Sequence, residues 1–179
     1  MPREANSAVD IADLPPYGNG TLPAGIRSRS IANVNGLGVH ILEAGEADRP
    51  ALLLLHGFPE LAYSWRKVML PLAAAGYHVI APDQRGYGRT TGWDGSYDAD
   101  PDPFRMLNMV RDALALVLAL GHRQVAAVIG RDAGAPVAAW SALVRPDVFR
   151  ALVLMTSPSP ARPAYRSTRP TALRRRRGR

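Results

Sequence analysis

The sequence predicts an α/β protein whose sheet is mostly parallel and begins with an antiparallel hairpin. Three observations carry this. Four short, mainly apolar runs, at 51–55, 77–81, 125–129 and 151–155, have the length and continuity of strands covered on both faces. Stretches of helical length separate them, at 64–75, 104–120 and 132–144. Ahead of them, Asn35-Gly36 divides two strand-like segments, and both residues tolerate the positive φ that a tight hairpin turn requires.

Taken in order, residues 1–26 are rich in Pro, Gly and polar residues and read as an extended, poorly ordered leader. The hairpin strands fall at 27–34 and 39–43. After the run 51–55 comes a helix at 64–75, with Pro71 inside it and Gly76 as its stop. A Gly- and Asp-rich loop over 82–103 follows the next strand. The helix at 104–120 sets Leu107, Val110, Leu114, Val117 and Leu118 on one face and ends at Gly121. The helix at 132–144 tolerates Pro136 because that residue falls in its first turn. Right-handed crossovers between successive runs make the sheet parallel. After Thr156 neither period survives, and residues 158–179 hold four Pro and eight Arg.

At 179 residues the length suggests one domain, and 47% hydrophobic residues suffice for a core. The absence of cysteine excludes a disulfide framework, a thiolate zinc site and a thiol nucleophile. No run approaches the ~18 apolar residues of a membrane helix, so no membrane partner is expected. The N-terminal MPREANSAVD has acidic residues and no apolar core, so no secretory signal is expected and the location reads as cytoplasmic. The net charge of +7 comes from one place. Residues 162–179 carry eight Arg and no acid, which leaves −1 for residues 1–161. A basic binding surface within the fold is therefore not expected.

Three motifs carry chemistry. Gly130-Arg131-Asp132-Ala133-Gly134 lies between a strand and a helix and has the small-x-nucleophile-x-small pattern of a nucleophile elbow. A sharp turn there brings two backbones close, so side chains at Gly130 and Gly134 would clash. The plainer alternative is a strand–turn–helix with Asp132 as a helix cap. His56-Gly57-Phe58-Pro59 directly follows the run 51–55, which puts it at the same carboxyl edge of the sheet. Gly57 allows the tight turn, Phe58–Pro59 is a candidate cis peptide, and the amides of Phe58 and Ala133 can converge as an oxyanion hole. A plain Gly-Pro turn is the alternative, with His56 orienting the loop. In Asp83-Gln84-Arg85-Gly86-Tyr87-Gly88, Asp83 and Arg85 read as residues that pin loops.

Together HGFPELAYSWR, DQRGYGRT and GRDAG resemble the α/β-hydrolase superfamily, and most of all its epoxide hydrolase branch. The resemblance covers about 27–157 and implies a truncated α/β-hydrolase core that lacks the cap and the last strands. It further implies Asp132 as a nucleophile that forms an alkyl ester with an epoxide-like small molecule, with no metal or cofactor. A carboxylate suits attack on a saturated carbon, whereas a serine would indicate esters or amides.

The chain also departs from that family. Its four histidines, His40, His56, His78 and His122, all precede Asp132, whereas the family's base comes late. Arg131 stands where a histidine is common, and Ala133 and Ala62 replace larger aromatics, which would widen the pocket. These departures imply an incomplete, inactive site. Residues 158–179 read best as a disordered, out-of-frame tail. The alternative function is a non-catalytic fragment or binding module that uses this basic tail, although nucleic acid is not the expected partner. Ending the sheet at 151–155 leaves an open edge through which copies of the chain could self-associate.

Overall fold

The computed structural model describes Tyr17 and residues 20–155. The expected tail at 158–179 and most of the leader lie outside these residues. The leader residues that are described do not extend away from the body. Ile26 is buried, Leu22 packs on the core, and the Tyr63 hydroxyl donates to the Thr21 carbonyl at 3.0 Å.

Among the described residues six strands form one sheet: β1 (Arg27–Val34), β2 (Leu37–Ala44), β3 (Ala51–Leu55), β4 (His78–Pro82), β5 (Ala127–Arg131) and β6 (Leu152–Met155). Their spatial order is β1-β2-β4-β3-β5-β6. β1 and β2 pair antiparallel around Asn35-Gly36, whose φ angles are 51° and 82°, so the predicted hairpin turn forms. β2 also runs antiparallel to β4, while the β4–β3, β3–β5 and β5–β6 pairs are parallel. β2 begins two residues earlier than expected, because Leu37 still pairs with Val34.

Three α-helices among the described residues cover the sheet: α1 (Arg66–Ala74), α2 (Met106–Ala119) and α3 (Gly134–Val144). β3 shows why the apolar runs are continuous. Leu53 and Leu55 belong to the core shared with α2 and α3, whereas Leu52 and Leu54 belong to a second core shared with α1. Each Leu so buried contributes about 1.5–3 kcal/mol. No helix among the described residues is long and apolar enough to cross a membrane.

Several expectations are corrected. The first helix is preceded by a 3-10 turn, Ala62–Trp65. β5 starts two residues late, because Val125 makes only an isolated bridge to Phe149. α3 starts at Gly134, because the two residues before it form the turn. The buried face of α2 is Val110, Ala113, Leu116 and Val117. Leu107 and Leu118 are more than half exposed. α2 is apolar on most of its circumference, so periodicity alone does not select the face.

β6 is the edge strand among the described residues, and all four of its residues are exposed. A wholly apolar groove runs beside it, lined by Trp65, Val68, Leu72, Ile129, Val153 and Met155.

Candidate active site

The site sits at the carboxyl ends of β3 and β5, where parallel neighbours bring their following loops side by side. At the end of β5 the chain turns sharply into α3, and Asp132 takes φ 49°. This left-handed conformation is rare outside glycine, but Asp is among the residues that tolerate it. The Asp132 amide donates to the Met155 carbonyl at 3.3 Å, which ties the turn to β6.

Close packing sets the residue types around the turn. A Cβ on Gly134 would lie 2.5 Å from the His56 carbonyl oxygen, and one on Gly130 would lie 2.7 Å from Ala135 Cα. A Cβ on Gly57 would lie 2.8 Å from Asp132 Oδ1. Glycine at these places lets β5, α3 and the 56–60 loop approach within backbone distance. The Phe58–Pro59 bond is cis.

Two amides from separate loops converge on one oxygen. Phe58 N–H donates to Asp132 Oδ1 at 2.9 Å, and Ala133 N–H donates to the same atom at 2.7 Å. Among the described residues these are the carboxylate's hydrogen bonds, and both fall on Oδ1. The Phe58 amide, then the Ala133 amide and the nearby Arg131 charge, hold the Asp132 carboxyl below the usual carboxylate range. Asp132 is therefore ionised at neutral pH, with Oδ2 open to a reactant. The predicted pair of amides does meet at Asp132, and the simple helix-cap arrangement does not account for the contact from Phe58.

His56 orients the loop. It is fully buried, its Nδ1 lies 3.0 Å from the Gly57 carbonyl, and its Nε2 lies 3.0 Å from Gln84 N. The Gln84 N–H must donate, so Nε2 accepts and the proton sits on Nδ1. Burial pushes this imidazole below its usual pKa. The Gln84 side chain also donates to the His56 carbonyl at 2.7 Å.

Asp83 pins the surrounding loops, as its motif suggested. Its carboxylate accepts from Ala62 N at 2.9 Å, from Arg89 N at 3.0 Å and from His40 Nδ1 at 2.8 Å. Burial pushes its carboxyl up, but these donors outweigh burial and hold it below the usual range. Arg85 makes a paired contact with Asp112 at 2.8 and 2.7 Å.

Sequence reasoning missed the partner of Arg131, which is Glu60 from the facing loop. The acid four residues after His56 was the available signal, but only the turn geometry brings it opposite Arg131. The two alanines also separate. Ala133 lines a cleft of about 420 Å³ together with Phe58, Gln84, Tyr87, Trp93 and Phe104. Ala62 is fully buried in the core and does not line that cleft, because its amide is fixed to Asp83.

The structure thus holds a carboxylate on a strand-to-helix turn, against the loop of the neighbouring strand. Residues 50–177 match the family model described as alpha/beta hydrolase fold. The chain belongs to the alpha/beta hydrolase fold family. It is 44% identical over 121 residues to epoxide hydrolase 3 of Siraitia grosvenorii, covering 68% of this chain and 36% of that protein. It is 39% identical over 128 residues to the AB hydrolase superfamily protein YfhM of Bacillus subtilis, covering 72% and 43%. Among solved structures, potato (Solanum tuberosum) epoxide hydrolase I aligns with TM-score 0.65 and 45% identity over 72% of this chain and 39% of that one. The chain thus spans well under half the length of these relatives.

Proposed function

We propose that this chain carries the nucleophile and oxyanion donors of an epoxide-hydrolase-type reaction and performs its first, covalent step on an epoxide-like small molecule. The single observation behind this reading is the placement of both amides on Oδ1, which leaves Oδ2 free.

Oδ2 attacks a ring carbon, a C–O ester bond forms, and the ring C–O bond breaks. The ring oxygen leaves with the electron pair and takes a proton from solvent. Ring strain makes this feasible for a carboxylate. Oδ1 becomes the ester carbonyl oxygen, already facing two N–H donors. When water then attacks the ester carbon, charge develops on Oδ1, where such donors are worth about 2.7–4 kcal/mol each. Collapse releases the diol and leaves the water oxygen in the carboxylate. Every reacting atom comes from Asp132, the epoxide or water, so the reaction involves no cofactor.

The second step needs a base, and the four histidines are committed elsewhere. His56 is used at both ring nitrogens by its loop, and His40 bridges Ser28 and Asp83. His78 and His122 bond to each other near Glu43. The alkyl ester therefore accumulates and turnover by this chain is negligible. Incubation with styrene oxide, followed by intact-mass analysis and peptide mapping, tests this. One adduct on Asp132 supports the reading, and sustained diol formation contradicts the inactive-site part of it.

The exposed β6 edge and its apolar groove favour self-association as the further contact of this chain.

A further inference from the structure

At the opposite end of the sheet from Asp132, a second polar cluster plays no part in the chemistry above. His78, the first residue of β4, is 1% exposed, and Glu43 of β2 is 5% exposed. His78 Nε2 lies 3.2 Å from Glu43 Oε2. Its Nδ1 lies 2.9 Å from His122 Nε2, on the turn that joins α2 to β5. From β1, Arg29 donates to both Glu43 oxygens at 2.9 and 3.0 Å, and Arg27 donates to Oε1 at 3.3 Å. Among the described residues, Glu43 and His122 are the titratable groups bonded to His78, and Arg27 and Arg29 reach it only through Glu43; on β3 its neighbour is Ala51.

Proton counting constrains this chain of contacts. The His78 bond, then burial offset by Arg29 and Arg27, leaves Glu43 at about 2, so it stays a carboxylate acceptor at any ordinary pH. His78 Nε2 must therefore carry a proton. The gap between His78 Nδ1 and His122 Nε2 then holds one proton, donated by either ring. When both rings are imidazolium, two N–H groups face each other across that gap, and the bond is replaced by repulsion between like charges. Burial, then the neighbouring His78, already holds His122 below its usual pKa.

We propose that His78 and His122 form a one-proton latch that opens in acid and releases the turn between α2 and β5. His122 is the ring that moves, because it is half-buried on a turn while His78 is fixed by Glu43 within the sheet. This inference is independent of the role assigned to Asp132.

The test compares the melting temperature of the full chain with that of His122→Gln at pH 7 and pH 5. The Gln amide can donate to or accept from His78 Nδ1 without taking up a proton. The wild-type melting temperature falls by at least about 3 °C more than that of the variant over this range. A parallel fall in both overturns the latch. Should the variant not fold, histidine-resolved NMR titration of the unaltered chain decides. A His122 titration below about 6.5, in step with a response of His78 Nδ1 while His78 Nε2 stays protonated, supports it. A His122 titration near the usual imidazole value of about 6.5 with no response at His78 Nδ1 overturns it.

Discussion

The amide of Phe58 donates to Oδ1 of Asp132 across 2.9 Å, although the two residues are 74 positions apart in sequence. That contact joins the loop after β3 to the turn after β5. It also decides which carboxylate oxygen is held and which is free. The chemistry proposed for the chain depends on keeping it.

Gly57→Ala should break that relationship. Its new Cβ would lie 2.8 Å from Oδ1 and 3.0 Å from the Arg131 carbonyl oxygen. The loop must retreat, at a cost of about 1–3 kcal/mol, and the Phe58 donor withdraws. Oδ2 is then no longer held in one orientation, so adduct formation at Asp132 slows about tenfold or more, read as the rate of mass gain. An unchanged rate would show that the Phe58 amide is not needed.

The pH profile of alkylation follows from the lowered pKa of Asp132. The carboxylate form is already dominant above the usual carboxylate value of about 3.9. The initial alkylation rate, measured well below the melting temperature, therefore stays level from pH 8 down to about pH 4 and drops only in stronger acid. A decline beginning near pH 6 would mean that another group controls the step.

Asp83→Asn should destabilise the whole carboxyl edge. The change removes a buried charge that holds His40 and the amides of Ala62 and Arg89. A loss of about 3–5 kcal/mol is expected, measured by urea unfolding. The sign of the pH effect is fixed as well. The folded carboxyl lies below its unfolded value, so Asp83 contributes its stability above about pH 3.9 and loses it as pH falls through the folded value. The variant lacks that acid-sensitive component.

Self-association through β6 predicts that sedimentation velocity finds oligomers at micromolar concentration. Val153→Lys combined with Leu154→Lys places a charge on each face of the edge and should shift the chain toward monomer. A wild-type chain that is monomeric throughout would remove this proposal.

Much of the fold was legible because its cause is local. Asn35-Gly36 announces the hairpin, and Leu52–Leu55 can bury every side chain only inside a layered sheet. The site was legible because close approach excludes side chains at Gly57 and Gly134, and the sequence displays that exclusion directly. The buried face of α2 was not legible, since Leu107 and Leu118 are as apolar as the residues that pack. Nor were the Glu60–Arg131 pair and the Glu43–His78–His122 chain. Each joins residues whose proximity depends on strand order, and β2 meets β4 only because β3 is placed beyond it.

The most direct test is the intact mass of the wild-type chain and of Asp132→Asn after exposure to styrene oxide. A single adduct, mapped to Asp132, is expected in the wild type and none in the variant. Equal labelling of both chains, or no labelling of either, would contradict it.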